Sequence, residues 1–343
     1  MTHESAQDSG PAGVPLGFGW ADYLAGLVAA HGSLSAVADL LAAQRGHVED
    51  VETIERGLRR LRGRGQRDGG KWGLRLLRRF GLPRDIEARV CWMGQYHTRF
   101  TDLPRSLCRE LLQLWDRPPV SDSPARIWIQ LGLVSVALRG REFALAREHL
   151  ELARRCASGA GPAAVIELEL VSAFVVSRKA HERVAGHLDR AEVLLAEADL
   201  PAGERACLHA RLADQRGYVL NKPPRGQRPD HRAALALYQA IPTAEAPPFA
   251  LCRRQNGIGW SRFKLGDIDG AASAARLAVQ HAGDGGSLRL RAMGLNLLAQ
   301  VVGGAESADA RARALAIASR LEDEELRVRI ERKRPRADDS RGE

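Results

Sequence analysis

The chain of 343 residues is 45% hydrophobic but only 5% aromatic, so alanine and leucine must fill most of its core, a balance that favours helices over sheets. Its formal net charge of +9 rests on 51 basic residues, of which only Lys71, Lys179, Lys222, Lys264 and Lys333 are lysine, and its 5 cysteines are widely spaced with no CxxC pair, as suits reduced core thiols. No apolar run approaches the roughly 20 residues a membrane span needs, and polar Met1–Gly13 is no secretory signal, so a cytoplasmic location without membrane contact is expected.

Residues 1–16, rich in Ser, Asp, Gly and Pro, are expected to form a disordered tail. A helix from about Trp20 to Ala30 places Trp20, Tyr23, Leu24, Leu27 and Val28 on one face. Gly32 stops it, Ser33 or Ser35 caps a second helix through Ala43, and Gly46 ends that one. A third helix, about Asp50 to Arg62, carries Val51, Ile54, Leu58 and Leu61 at helical spacing. Gly63, Gly65, Gly69 and Gly70 break the chain before a fourth helix, about Lys71 to Phe80, and Pro83 closes a small basic helical unit over residues 17–82.

From Arg84 to about residue 320 the helices come in pairs. The first pair covers about 84–99 and 104–116; the next cover about 124–157, 162–199, 202–241, 247–283 and 287–320. Second helices begin near Ala146, Ala185, Ala234, Ala271 and Ala310, at spacings of 39, 49, 37 and 39 residues. The long interval holds an insertion, Asn221–Asp230, rich in Pro and Arg. Residues 321–343 read as a charged helix that frays into a basic, disordered tail.

Charge concentrates in residues 56–80, where Arg56, Arg59, Arg60, Arg62, Arg64, Arg67, Lys71, Arg75, Arg78 and Arg79 face the single acid Asp68. A genome-wide arginine bias would spread the charge evenly, so its concentration is the informative feature. Arg56, Arg59 and Arg60 lie across the third helix from Ile54, Leu58 and Leu61, leaving a basic face for phosphates. Docking to an acidic protein surface and a solvated face without a partner are the other readings. Gly65–Lys71 spells GxxxxGK, but Trp72 stands where a phosphate loop needs Ser or Thr and a basic helix precedes it, so nucleotide hydrolysis is not expected.

His181 and His187 are six residues apart and cannot share a metal from one helix. No Ser-His-Asp or Cys-His grouping has a local signature, so no enzyme, cofactor or metal is expected. The insertion, with Lys222, Arg225, Arg228 and Arg232, reads either as a tolerated loop or as a second basic docking patch. The basic run Arg332–Arg336 reads as a solvated tail in preference to a nucleic-acid arm.

Within residues 251–284, Ile258 and Gly259 sit on a first helix, Gly266-Asp267-Ile268-Asp269 make a turn, and Ala271 and Ala278 follow on a second. This stretch resembles a tetratricopeptide repeat. Leu131-Gly132, Gly140, Phe143, Ala146 and Ala153 give a similar match over 124–157, as do Ala234, Tyr238 and Ile241 over 229–243. The resemblance implies an all-α, right-handed α-solenoid of helical hairpins over 84–320, whose concave wall binds peptide segments of partner proteins. Tyr96, Trp128 and Trp260 are placed on the first helices that line this wall, as core fillers or peptide anchors.

More loosely, Ala38, Leu41 and Ile54-Glu55-Arg56-Gly57 resemble the helix-turn-helix of phage-repressor-type domains, with a longer interval than that family has. Repressor-like domains joined to tetratricopeptide arrays are a class of bacterial regulators. The expectation is therefore a non-enzymatic regulator that binds DNA through Arg56, Arg59, Arg60, Arg62, Arg64, Arg67 and Lys71. Its repeats would bind a peptide, a protein or a second copy of the chain, with Tyr96, Trp128, Trp260, Arg225 and Arg228 as contacts. The alternative is a pure protein–protein adaptor in a signalling or defence complex.

Overall fold

The computed structural model describes residues 17–44, 49–177, 181–224 and 226–332. The expected tail 1–16, the stop at Gly46, Arg225 and the basic run beyond Arg332 lie outside them. Among the described residues the fold is all-α, with seventeen α-helices, three short 3₁₀ turns and no strand. They form two compact units: one holds the described residues up to Glu87 together with Gln113–Ser123, the other Ala88–Leu112 and the chain from Pro124 onward. The chain passes from the first unit to the second within α5 (Arg84–Gly94), and back within α6 (Arg105–Trp115).

The first unit is built on α1 (Trp20–His31), α2 (Leu34–Ala42), α3 (Val51–Arg62) and α4 (Gly70–Phe80). Local chemistry sets their starts: Ser33 Oγ accepts from the Ala36 amide at 3.0 Å, and Asp50 Oδ1 from the Thr53 amide at 2.6 Å. Gly32, at φ 90°, ends α1 where a side chain would be strained. Trp20, Leu24, Val37, Leu41, Ile54, Leu58, Leu61 and Leu76 make the core. Burying eight such side chains in so small a unit contributes roughly 1.5–3 kcal/mol each before entropy is deducted. Trp20 is pinned further, its Nε1 donating to the Arg67 carbonyl at 2.8 Å, and the Tyr23 hydroxyl donates to the Gly81 carbonyl at 2.7 Å.

In the second unit the helices after α6 are α7 (Arg126–Arg139), α8 (Phe143–Arg155), α9 (Pro162–Val176), α10 (Val184–Glu197), α11 (Ala202–Asn221), α12 (His231–Gln239), α13 (Pro248–Leu265), α14 (Ile268–Asp284), α15 (Leu288–Val301), α16 (Gly304–Arg320) and α17 (Glu324–Arg332). The odd-numbered helices from α7 to α15 pack on one another in a row, and each even-numbered helix packs against the odd-numbered helix on either side of it. Small residues let the backbones approach: Ala146, Ala153, Ala191, Ala234, Ala271, Ala275, Ala278 and Ala314 have no exposed surface. The turn between α13 and α14 follows from two residues. Gly266 takes the left-handed conformation at φ 87°, and Asp267 Oδ1 accepts from the Gly270 amide at 2.9 Å.

One placement differs from the sequence reading. Tyr96 was expected on a first helix, but α5 ends at Gly94, and Tyr96 lies in the connection to α6. The cause is tertiary: a Cβ on Gly94 would come within 2.3 Å of the Trp128 carbonyl oxygen, so α5 and α7 touch backbone to backbone there. No single helix among the described residues is long and apolar enough to cross a membrane; α1 and α2 pass that test only jointly, across an 86° bend.

Gly57 and Gly26 separate packing from propensity. A Cβ at Gly57 would meet the Trp72 indole nitrogen at 2.3 Å, whereas one at Gly26 meets nothing within 4 Å. Gly57→Ala should cost about 1–3 kcal/mol through overpacking, and Gly26→Ala should add roughly 0.5–1 kcal/mol through helix propensity. Urea unfolding followed by circular dichroism measures both; a neutral Gly57→Ala would contradict the packing described for α3 and α4.

Candidate nucleic-acid interface and a buried arginine centre

The basic region of the first unit is built by the end of α3, the turn over residues 63–69 and the start of α4. Arg56, Arg59, Arg60, Arg62, Arg64, Arg67 and Lys71 are all exposed, because Ile54, Gly57, Leu58 and Leu61 claim the inward face of α3. Arg60, Arg64 and Lys71 come together around a cleft of about 220 Å³ floored by Gly57 and Trp72. Gly57 makes room for the indole, while Gly69 makes room for Trp20 behind it. Lys71 Nζ sits 4.6 Å from the centroid of the Trp72 ring, a cation–π contact worth about 0.5–1 kcal/mol at an exposed site.

Arg64 also joins Arg67 and Arg117 along an open surface that includes Gln66. Arg117 belongs to the returning stretch 113–123 and donates to Gln66 Oε1 at 3.3 Å. Nothing local in the sequence marks it as part of this surface; only the return of the chain brings it there. Arg56, Arg59 and Arg62 stay on α3, outside both features.

The acids nearby are more numerous than residues 56–80 suggest. Lys71 and the half-buried Glu49 pair at 3.2 Å, and Arg59 pairs with Glu55 at 2.5 Å. Side-chain hydrogen bonding from Lys71 holds the Glu49 carboxyl below its ordinary value. Such exposed pairs contribute little and exchange readily for phosphate. Arg75 is different: it is buried, donates to the Leu41 carbonyl at 3.1 Å and pairs with Glu49, so it ties α4 to α2 instead of facing outward. Gly65–Lys71, the GxxxxGK stretch, follows α3 and so is preceded by a helix.

The remaining candidates fall in the second unit. Trp128 is buried on α7 against Gly94, and Trp260 is half-buried on α13, packed with Phe263 against α14–α16. Arg228 is exposed before α12, and Arg225 lies outside the described residues. His187 Nδ1 lies 2.5 Å from Glu169, and the side chain of His181 is outside the described part. No cluster of three or more metal-ligating side chains occurs among the described residues.

Tyr96 marks a site that the sequence did not reveal. Its hydroxyl accepts from Arg253 at 2.6 Å. The guanidinium carbons of Arg211, Arg253 and Arg289 lie 4.7, 5.2 and 5.2 Å from the centroid of its ring. Each arginine comes from a different odd-numbered helix, α11, α13 and α15. Each also has an acidic partner: Glu167 for Arg211, Asp214 at 3.0 Å for Arg253, and Asp323 at 2.8 Å for Arg289. Asp323 is wholly buried and also lies 3.8 Å from Arg139, whose guanidinium donates to the Leu103 and Leu321 carbonyls.

Burial alone would raise the Tyr96 phenol, but the charges of Arg253, Arg289 and Arg211 outweigh it and hold it below the ordinary tyrosine value. Burial likewise works against ionised Asp323, and Arg289 and Arg139 more than offset it. The neighbouring His97 packs on Phe249, ring centroids 5.7 Å apart, and burial brings its imidazole down to about 4.

Comparison with protein-family models, with curated proteins and with solved structures finds no match to the chain.

His97 gives this centre a pH signature. Its folded value of about 4 lies below the unfolded value of about 6.5. Between the two the unfolded chain binds the extra proton, so stability falls as pH drops from about 6.5 towards 4. His97→Gln should flatten that fall, seen as a smaller difference in Tm between about pH 7 and about pH 5. His231, also lowered by burial, leaves a residual slope. An unchanged difference would remove His97 from the account.

Proposed function

We propose that the protein is a non-enzymatic regulator that binds nucleic acid through its basic first unit and a peptide or protein partner through a tetratricopeptide-like α-solenoid. The observation that carries the nucleic-acid reading is the convergence of Arg60, Arg64, Arg67, Lys71 and Arg117 on one exposed surface beside a half-buried tryptophan. Arginine and lysine at a shallow cleft neutralise phosphates, and the guanidinium fork suits their paired oxygens.

What supports the solenoid reading is the row of odd-numbered helices with even-numbered helices wedged between them, held by buried alanines at successive crossings. On this reading α7, α9, α11, α13 and α15 form the inner wall of the row, of which α7 and α15 carry no exposed residue. On the nucleic-acid reading α2 and α3 serve as the two helices of a helix-turn-helix, with α3 as the groove-reading member. Its basic face, Arg56, Arg59, Arg60 and Arg62, is turned away from the core as that role requires.

The full chain should shift a DNA duplex at low salt, with affinity falling as ionic strength rises by a slope of about 0.9 per phosphate contacted. Arg60→Ala with Arg64→Ala should reduce that slope by roughly two contacts and weaken all sequences alike. Electrophoretic shift against a salt series is the measurement. A full chain that moves neither duplex nor single strand at low salt ends the nucleic-acid reading and leaves the adaptor.

A further inference from the structure

The connection between α5 and α6 behaves as a ligand of the row it lies on. Residues 95–106 cross α11, α13 and α15 and reach the turn after α16, making polar contacts along the way. The Gln95 amide donates to Glu204, and Tyr96 sits among Arg211, Arg253 and Arg289. Asp102 Oδ1 accepts from the Arg289 amide at 2.9 Å and from Ser287 Oγ at 3.3 Å, at the start of α15. Further on, the Arg105 amide donates to the Leu321 carbonyl at 3.0 Å, and Ser106 binds Glu322 through its amide at 2.8 Å and its hydroxyl at 2.9 Å.

Three properties set this stretch apart from core. Residues 95–98 are half-buried and Arg99 is exposed, so this part of the segment lies on the row, while Phe100 and Thr101 are buried and anchor it. Tyr96 and His97 pack on Phe249, but the contacts that set the register are polar and directional, whereas well-packed apolar residues would join the same elements at lower desolvation cost. The arginine cage is also not saturated: Arg253 Nε and Arg289 Nη1 have no hydrogen-bond partner among the described residues, and the Arg253 side chain is only 6% exposed. Spare buried donors mark a place where further acceptor oxygens would be bound.

We propose that residues 95–102 are the resident occupant of a peptide-recognition site, and that the cage of Arg211, Arg253 and Arg289 recognises a partner segment bearing a tyrosine with a carboxylate six residues downstream. Tyr96 and Asp102 define that pattern, the phenol in the cage and the carboxylate at the start of α15. An incoming segment must displace the resident one, so the apparent affinity of the native chain is reduced by the fraction of time the site stands open. This inference rests on the peptide-binding reading of the row and names the ligand that reading leaves open.

The test uses the full chain and a fluorescent synthetic peptide covering residues 93–104. Tyr96→Ala should bind it at least roughly ten-fold tighter than the wild type, whose resident phenol competes. The same peptide with Phe in place of Tyr96 should bind more weakly, and adding Arg253→Ala to Tyr96→Ala should abolish binding. Circular dichroism checks that each chain is folded; if Tyr96→Ala is not, Tyr96→Phe with Asp102→Asn, which keeps the ring, replaces it. Equal binding to wild type and variant, or none to a folded variant, overturns the proposal. A partner protein held equally well by wild type and Arg253→Ala would also overturn it, while leaving peptide binding by the row intact.

Discussion

Close approach of helix backbones, made possible by alanine and glycine at the crossings, is the constraint on which the second unit depends. Helices of nine to twenty residues bury too little surface to persist singly. They persist here because Ala234, Ala271 and Ala275 bring neighbours near enough for larger side chains to interlock. Tyr238 illustrates the geometry: its ring fills the space over Gly217 on α11 and Gly257 on α13, where a Cβ would lie 2.5 and 2.1 Å from it. Its hydroxyl donates to the Asp214 carbonyl at 3.1 Å. The contact that closes the apolar layer therefore borders the acid that holds Arg253, so packing and the arginine centre are one construction.

The polar centre is costly by comparison. Arg139, Glu167, Arg211, Arg253 and Asp323 are each at most 5% exposed, and stripping water from five charges takes several kcal/mol apiece. Mutual pairing offsets that loss only while every member stays in place. Removing Asp323 would strand both Arg139 and Arg289, whereas removing Glu55, whose partner Arg59 is exposed, would strand nothing. Apart from Arg75, charge in the first unit follows the opposite logic: the arginines of α3 and of residues 63–69 remain hydrated and available.

How far the sequence spoke depended on whether the deciding force was local. The four helices of the first unit were readable because Ser33, Asp50, Gly32 and the glycines of residues 63–70 act on their own neighbours. The end of α5 was not, because the Gly94–Trp128 contact that fixes the backbone path is tertiary. Arg75 looked like one more member of a basic stretch, yet it points inward to Leu41, and Arg117 joins the same surface from fifty residues away. The cage around Tyr96 left a faint trace: Arg211, Arg253 and Arg289 stand 42 and 36 residues apart, close to the repeat interval. One such arginine on each of α11, α13 and α15 is the trace that the repeat interval leaves in the sequence.

The first unit owns a piece of chain that arrives late. Val120, almost fully buried, and the 3₁₀ turn Val120–Asp122 pack against α4, and Arg117 reaches Gln66. A polypeptide cut after Glu87 would thus be missing part of its own wall. Such an arrangement resists shuffling as an independent bead on a string: three covalent crossings, after Glu87, Leu112 and Ser123, tie one unit to the other.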